Sequence, residues 1–362
     1  MTDEVYGRLR EQLDQYGVGF PSTPSGVEMK ILKKLFTEEE AQMFLHLSLM
    51  GEPAQAIADR LKKDRAETAA RLDRMADKGL LFRLRKKDKT ALYAAIPFVI
   101  GIYEFQVGSL DKEMAVLMEQ YFEEAFSEQI TKQTPPLRPI AVNRSFQVSW
   151  NVAPYEDARQ MVKGQKEIAV AKCICRMEKA LVGDGCDKPL EVCLSFGPEA
   201  RYYVDLGVAR WIGQEEALNI LDRCDEAGLV PQPTNSQNPV AMCNCCGDCC
   251  GVLRSLKKHP RPSEIVLSNY YAQVDAELCT ACETCLDRCQ MEAIDMGADG
   301  VAVVDLDRCI GCGLCVSTCP TEALCLKTKE PRREPPVRFK DAVIEMARER
   351  GTDLIPMSMK KA

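Results

Sequence analysis

Histidine is nearly missing from this sequence, and several common functional motifs are missing altogether. Only 2 of the 362 residues are histidine, so any metal site must take its ligands mainly from other side chains. Neither G-x-G-x-x-G nor G-x-x-x-x-G-K-[ST] occurs, which argues against a dinucleotide-binding fold and against a P-loop. C-x-x-C-H is absent as well, which argues against covalently attached c-type haem.

Long apolar runs are also missing. The longest uncharged apolar stretch, residues 90–103, has 14 residues and includes Pro97, so it is too short for a membrane-spanning helix. The first six residues are acidic and lack the apolar segment of a signal peptide. We therefore expect a cytoplasmic protein without a membrane-spanning segment. In that reducing compartment clustered cysteines bind metal more often than they form disulfides.

Cysteine, by contrast, is abundant, and its spacing reveals one internal repeat. The chain has 19 cysteines, and two runs of four follow each other at an interval of thirty residues, each preceded by Val-Asp and followed by Glu-Ala. The runs are Cys279, Cys282, Cys285 and Cys289, then Cys309, Cys312, Cys315 and Cys319. A C-x2-C-x2-C segment brings three sulfurs to one face, and a cubane cluster needs a fourth thiolate from elsewhere.

This pattern resembles the bacterial two-cluster [4Fe–4S] ferredoxin family over about 55 residues. The resemblance implies two [4Fe–4S] clusters with crossed ligation, in which the fourth cysteine of each run binds the other cluster. It therefore groups Cys279, Cys282 and Cys285 with Cys319, and Cys309, Cys312 and Cys315 with Cys289. Gln290 departs from the pattern, which asks for proline there, whereas Pro320 follows it. The alternative, two four-cysteine zinc sites, does not usually show this spacing.

Nine further cysteines lie upstream, within about 80 residues. They are Cys173, Cys175, Cys186, Cys193, Cys243, Cys245, Cys246, Cys249 and Cys250. Adjacent cysteines cannot easily aim both sulfurs at one metal, so each adjacent pair is expected to give one ligand to a given site. We interpret this field as at least one additional Fe–S cluster. A four-cysteine zinc site and buried or redox-exchanging thiols are the alternatives. Cys224 and Cys325 are predicted to be small core residues.

Residues 31–105 are typical of helices followed by a short hairpin. Capping boxes are predicted at Thr37 with Glu40 and at Asp64 with Glu67, and Gly79 ends the third helix. Strands are predicted at residues 80–84 and 91–95. This order resembles the winged helix-turn-helix domain of bacterial regulators.

Charge separates this region from the cysteine repeat. Residues 60–89 hold 12 Lys and Arg against 5 Asp and Glu, net +7, whereas residues 274–326 hold 2 Arg against 10 Asp and Glu, net −8. The basic third helix and wing are suited to DNA phosphates, or form a solvated face or one that docks an acidic protein. The two segments are also complementary enough to associate with each other.

Taken together, these patterns predict an α+β, multidomain chain. A winged-helix-like domain is expected at residues 1–133, a central cysteine-rich α/β domain at 140–265, a two-[4Fe–4S] ferredoxin-like domain at 270–328, and a basic tail at 329–362. The Pro-rich segment 134–139 is the expected linker.

Three functions fit this organisation. The favoured one is an electron carrier that relays single electrons between soluble redox protein partners through the two ferredoxin clusters and a central cluster. The second is a redox-responsive regulator that binds DNA through its N-terminal domain. The third is a reductase whose central cluster binds substrate. No nucleophile–base pattern indicates an independent catalyst, so no catalytic residue is assigned.

The crossed ligation makes a prediction that separates the two clusters. Replacing the fourth cysteine of the second run, Cys319→Ala, should damage the cluster held by the first run, because that cluster then lacks its fourth thiolate. Electron paramagnetic resonance of the anaerobic protein would distinguish the two centres. Damage confined to the cluster of the second run would contradict the crossed arrangement.

Overall fold

The computed structural model describes residues 2–86, 88, 90–142, 145 and 152–359. Helix accounts for 44% of the structure and strand for 16%, which confirms the mixed class. The strands form a five-stranded sheet, a three-stranded sheet and two two-stranded sheets. Over the described residues, no helix combines the length and apolar character that crossing a membrane requires.

The N-terminal region is a helical array with one small sheet. Its elements are α1 (Thr2–Asp14), α2 (Val27–Leu35), α3 (Glu38–Phe44), β1 (Glu52–Pro53), α4 (Ala54–Leu61), α5 (Arg65–Asp77), β2 (Phe82–Arg85), β3 (Ala91–Ala94), α6 (Tyr103–Phe105), α7 (Lys112–Tyr121) and α8 (Ser127–Gln129). The capping box of α3 is confirmed, since Thr37 and Glu40 exchange side-chain and backbone hydrogen bonds. Asp64 caps α5 through the Glu67 amide, at 2.9 Å. Gly79, with φ of 70°, follows the end of α5 as expected.

The predicted hairpin is present, and it carries a third strand. β2 pairs with β3 in antiparallel register from Phe82 opposite Ala94 to Arg85 opposite Ala91. The two-residue β1 pairs with the other edge of β3, which sequence patterning cannot detect because so short a strand has no periodicity. Lys87 and Lys89, in the predicted wing turn, lie outside the described residues.

An antiparallel five-stranded sheet forms the central region. The elements are α9 (Ala158–Lys163), β4 (Ile168–Lys172), α10 (Ile174–Val182), β5 (Glu191–Phe196), α11 (Gly197–Asp205), β6 (Ala209–Ile212), α12 (Gln214–Glu226), β7 (Val230–Pro233), β8 (Ala241–Cys245), α13 (Gly251–Lys258) and α14 (Pro262–Ile265). The strand order is β6-β4-β5-β8-β7. Inner strands β4 and β5 are mostly apolar and buried, as central strands should be.

The C-terminal region repeats one structural unit twice. Its elements are β9 (Tyr270–Val274), α15 (Thr284–Arg288), β10 (Ile294–Met296), β11 (Ala302–Val304), α16 (Leu314–Ser317) and β12 (Leu324–Thr328), followed by the tail helix α17 (Phe339–Glu349). β9 pairs with β12, and β10 pairs with β11. The Asp275 amide donates to the Ala323 carbonyl at 2.7 Å, and the Asp305 amide donates to Ala293 at 2.8 Å. The first residues of each repeat are therefore hydrogen-bonded to the last residues of the other.

The Pro-rich segment 134–139 runs along the central sheet. Leu137 forms a bridge with Thr234, and the Arg138 amide donates to the Pro233 carbonyl at 3.1 Å. Leu137 and Arg138 are only 5% and 3% exposed. The segment thus pairs with the central sheet like an additional edge strand, whereas a free linker would lack these hydrogen bonds. A single apolar core also includes buried residues from all three regions, among them Phe122, Leu253 and Leu314.

Several cations of the positively charged segment 60–89 pair with carboxylates elsewhere in the fold. Arg83 is 3% exposed, and its guanidinium lies 2.9 Å from Asp73, 2.8 Å from Asp77 and 2.5 Å from Asp205 of α11. Among the described residues, no cation of this segment forms an ion pair with residues 274–326. Arg60, Arg71, Lys78, Arg83 and Arg85 pair instead with carboxylates outside the dicluster repeat.

Arg83 connects the N-terminal sheet to α11. We therefore expect Arg83→Met to lower the free energy of unfolding by about 1–3 kcal/mol, because charged hydrogen bonds are lost at a buried position. Arg85 shares Asp73 and Asp205 but has an exposed side chain, so Arg85→Met should cost at most about 1 kcal/mol. Urea denaturation under anaerobic conditions measures both. Equal losses would contradict the anchoring role of Arg83.

Candidate metal centres

Two small cavities in the C-terminal repeat are each lined by four cysteines. One, of about 20 Å³, is lined by Cys279, Cys282, Cys285 and Cys319. The other, also of about 20 Å³, is lined by Cys289, Cys309, Cys312 and Cys315. Each cavity therefore combines three thiols of one run with the last thiol of the other run. This grouping is the one that crossed ligation requires.

The backbone conformation explains why both runs wrap in the same way. Left-handed φ angles occur at equivalent positions, 56° at Ala281 and 67° at Gly311, then 61° at Glu283 and 72° at Gly313. Gly311 cannot be replaced at its position, because a Cβ there would lie 2.1 Å from the Tyr270 carbonyl oxygen. Glycine at both positions therefore spares the second run the backbone strain of a left-handed φ angle. The first run has two larger residues at these positions and carries that strain.

The two cavities differ in their access to solvent. Cys282 of the first is exposed, whereas Cys309 and Cys315 of the second are 8% exposed. Burial raises the pKa of the Cys312 thiol to about 12. The Cys289 and Cys309 sulfurs also accept hydrogen bonds from backbone amides, at 3.2 Å and 3.4 Å. Such bonds stabilise an anionic sulfur, as metal binding requires.

Residues 272–326 match the family model of the 4Fe-4S dicluster domain. This match covers both cysteine runs, so the C-terminal domain binds [4Fe–4S] clusters. We call it the dicluster domain from here on. Searches of curated proteins and of solved structures returned no match to the chain.

The nine upstream cysteines divide into two groups. Eight of them, all except Cys186, line a cavity of about 60 Å³. Six of these eight follow one another as thiol neighbours, and we call these six the cavity group. They are Cys173, Cys175, Cys193, Cys243, Cys245 and Cys250. The remaining three, Cys186, Cys246 and Cys249, lie within 4.8 Å of one another and are called the loop triplet.

Local structure explains this division. Successive side chains of a strand point to opposite faces, so Cys243 and Cys245 lie on one face of β8, and Cys246 follows the end of the strand. In the turn before α13 the Cys249 thiol contacts Cys186, whereas the Cys250 thiol neighbours Cys175 and Cys245. Cys173 and Cys250 are the N-cap residues of α10 and α13, and a helix N-terminus favours an anionic sulfur.

The thiols of the loop triplet are close neighbours. The Cys186 sulfur lies 3.5 Å from that of Cys249 and 3.9 Å from that of Cys246. The hydrogen bond from the Cys249 thiol, supported by the charge of Arg176, lowers the pKa of Cys246 to about 5, and the same bond raises the pKa of Cys249.

Arg176 is a site residue to which the sequence analysis gave no role. Its side chain is 3% exposed and donates to the Pro189 carbonyl at 2.9 Å and to the Asn244 carbonyl at 2.8 Å. Burial works to lower its pKa, but the thiolates of Cys173 and Cys246 keep the pKa above its ordinary value. A buried cation here offsets anionic charge on the sulfurs. In the sequence, its position directly after Cys173 and Cys175 could have indicated that it belongs to the site.

The contacts of Gln290 explain why this position is not proline. They also join the dicluster domain to the central cysteines. The Gln290 side-chain oxygen accepts the Gly247 amide at 2.7 Å, inside the Cys246–Cys249 loop. A Cβ at Gly247 would lie 2.3 Å from the Gln290 carbonyl oxygen, so the two backbones are in contact. Proline has no side-chain acceptor and could not make this bond.

The two unassigned cysteines lie outside both groups. Cys224 lies in α12 and is 1% exposed in the core, which confirms its predicted place. Cys325 is partly buried on β12, opposite Gln273 of β9.

The contact between Gly247 and Gln290 leaves no room for a side chain. We expect Gly247→Ala to lower the free energy of unfolding by about 1–3 kcal/mol, because the added methyl group forces the two backbones apart. Gly7→Ala is the control, since Gly7 lies within α1 with nothing inside 4 Å of its added Cβ, and it should be neutral or slightly stabilising. Anaerobic urea titration compares them. A Gly247→Ala variant as stable as the control would show that the contact is dispensable.

Proposed function

We propose that this protein is an iron–sulfur electron-transfer protein in which single electrons pass from a soluble partner through the dicluster domain to a third Fe–S cluster in the central cavity. The observation that carries the proposal is the contact between Gln290 and Gly247. Gln290 directly follows Cys289 of the buried dicluster cavity, and Gly247 lies between cysteines of the central field. A [4Fe–4S] cluster gains and loses one electron at a time.

The exposed end of the dicluster domain is suited to receive the partner. Cys282 is exposed there, and Leu278, directly before Cys279 of the same run, presents an apolar side chain that is 48% exposed. Residues 274–326 carry 10 acidic against 2 basic residues, net −8. A redox protein with a basic, partly apolar surface would dock here, steered by charge and held by apolar contact.

The cavity group provides the donors for the third cluster. Four thiolates suffice for a cubane, and the group offers six around one cavity. Val99, Phe122 and Phe126 give the cavity an apolar wall, which keeps water from the sulfurs and influences the potential. Arg176 supplies the buried positive charge beside them.

We infer that residues 1–133 contain a winged-helix-like module that is used chiefly for docking inside this chain. Helices α3, α4 and α5 followed by the β1-β3-β2 sheet support the resemblance. The Tyr202 hydroxyl of α11 donates to the carbonyls of Ala76 and Leu81, at 2.7 Å and 2.6 Å, and Arg83 binds Asp205. Arg71, whose charge a DNA-binding helix would offer to phosphate, instead lies 2.8 Å from Glu39. These contacts favour the carrier over the DNA-binding regulator.

Iron content tests the third cluster. Full-length protein purified anaerobically should contain about twelve irons per chain, four for each of three cubanes. A triple variant, Cys175→Ser with Cys245→Ser and Cys250→Ser, leaves only three thiols in the cavity group and should retain about eight irons. The Cys325→Ser variant is the control, because this thiol belongs to neither group, and it should keep all twelve.

The spectrum of the dicluster domain shows whether the triple variant is folded. Its two cluster signals should persist when the central iron is lost. About eight irons in the unmodified protein, or equal iron in the triple variant and the unmodified protein, would contradict a third cluster in the cavity.

A further inference from the structure

The loop triplet has the geometry of a different kind of metal site from the dicluster cavities. Cys246 and Cys249 flank a two-residue turn, a Cys-x-x-Cys spacing common among zinc ligands. Cys186, from the loop after α10, completes the set, with sulfur distances of 3.5 Å and 3.9 Å to the other two. Residues of two separate loops therefore bring three thiols into contact.

These separations match thiolates that share one metal ion. In a tetrahedral site with metal–sulfur bonds of about 2.3 Å, two sulfurs lie about 3.8 Å apart. In a cubane each thiolate binds a different iron, so the sulfurs are held further from one another. The distances in the loop triplet lie on both sides of the tetrahedral value.

The dicluster domain provides an internal comparison. Throughout the described part of the chain, the loop triplet is the only set of three or more Cys, His, Asp or Glu whose ligand atoms all lie within 4.8 Å of one another. No three thiols around a dicluster cavity, and no three of the cavity group, meet this criterion. The loop triplet therefore differs from both in bringing three thiols into mutual contact.

The fourth position around such an ion has no protein donor among the described residues. No fourth Cys, His, Asp or Glu ligand atom lies within 4.8 Å of all three sulfurs. Asp248, the acidic residue within the turn, binds Lys188 at 3.2 Å. Cys186 is partly exposed, so the site opens toward solvent on its side. Three protein ligands with one open position are typical of catalytic rather than structural zinc.

We propose that Cys186, Cys246 and Cys249 bind one zinc ion whose fourth position is open to a small exogenous ligand, with a thiol as the favoured class. A zinc-bound thiol loses its proton and becomes a nucleophile, and sulfur ligands suit this soft site. Cys246 and Cys249 also line the central cavity, but the proposal uses none of the six cysteines of the cavity group.

The experiment is metal analysis and zinc X-ray absorption on full-length protein purified anaerobically. One zinc per chain is expected, with three sulfurs at about 2.3 Å and one oxygen or nitrogen. Adding 2-mercaptoethanol should convert this shell to four sulfurs. The Cys186→Ser variant should lose at least nine-tenths of the zinc while its iron content is unchanged, and Cys325→Ser should keep both.

Each other outcome overturns the proposal. Loss of about four irons in Cys186→Ser would assign this thiol to an Fe–S cluster. Four sulfurs without added thiol would show a closed structural site. Absence of zinc from the anaerobic protein, even after incubation with one equivalent of Zn²⁺, would leave the three cysteines as thiols or as a disulfide. If Cys186→Ser does not fold, the absorption spectrum of the unmodified protein decides alone.

Discussion

The close packing of one segment, residues 241–258, against both neighbouring regions is the constraint on which the rest of the structure depends. This segment carries five cysteines and meets the dicluster domain at Gly247, where no Cβ fits against Gln290. On its other side Gly251 lies against the Phe122 ring, where an added Cβ would be 3.2 Å away, and Arg254 binds Glu119 at 2.8 Å. Because the contacts are so close, small changes in this segment are transmitted to both neighbours.

Burying many thiols in one place creates an electrostatic requirement. Thiolates and the clusters they hold are anionic. Burying a charge without a partner costs roughly several kcal/mol of folding free energy, even after the surrounding protein relaxes. The fold meets this requirement with the guanidinium of Arg176, with the N-termini of α10 and α13, and with backbone amides that donate to sulfur. The N-terminal region adds the apolar wall. This explains why a helical domain without cysteine is packed so firmly onto a cysteine-rich one.

Parts of the fold that rest on local chemistry could be predicted from the sequence. The capping box at Thr37, the helix Ala54–Leu61 and the hairpin of β2 and β3 follow from hydrogen-bonding side chains and apolar periodicity within a few residues. The two-residue β1 has no such signal, whereas α1 and α2 carry apolar periodicity that the sequence analysis did not use. Net charge also ignored near partners, since Arg83 pairs with Asp73 and Asp205 rather than with segment 274–326.

For the metal sites, the two runs of the dicluster domain could be recognised from the sequence alone, because the spacing of ligands to a cubane is recorded directly along the chain. It also led to the expectation that each adjacent pair of cysteines gives one ligand to a given site. Which thiols meet depends on the tertiary structure. Cys186 and Cys246 are sixty residues apart, yet their sulfurs are in contact, and Cys193 lies with the other group. Strand pairing and loop packing set these distances, and they depend on contacts between segments that no local pattern records.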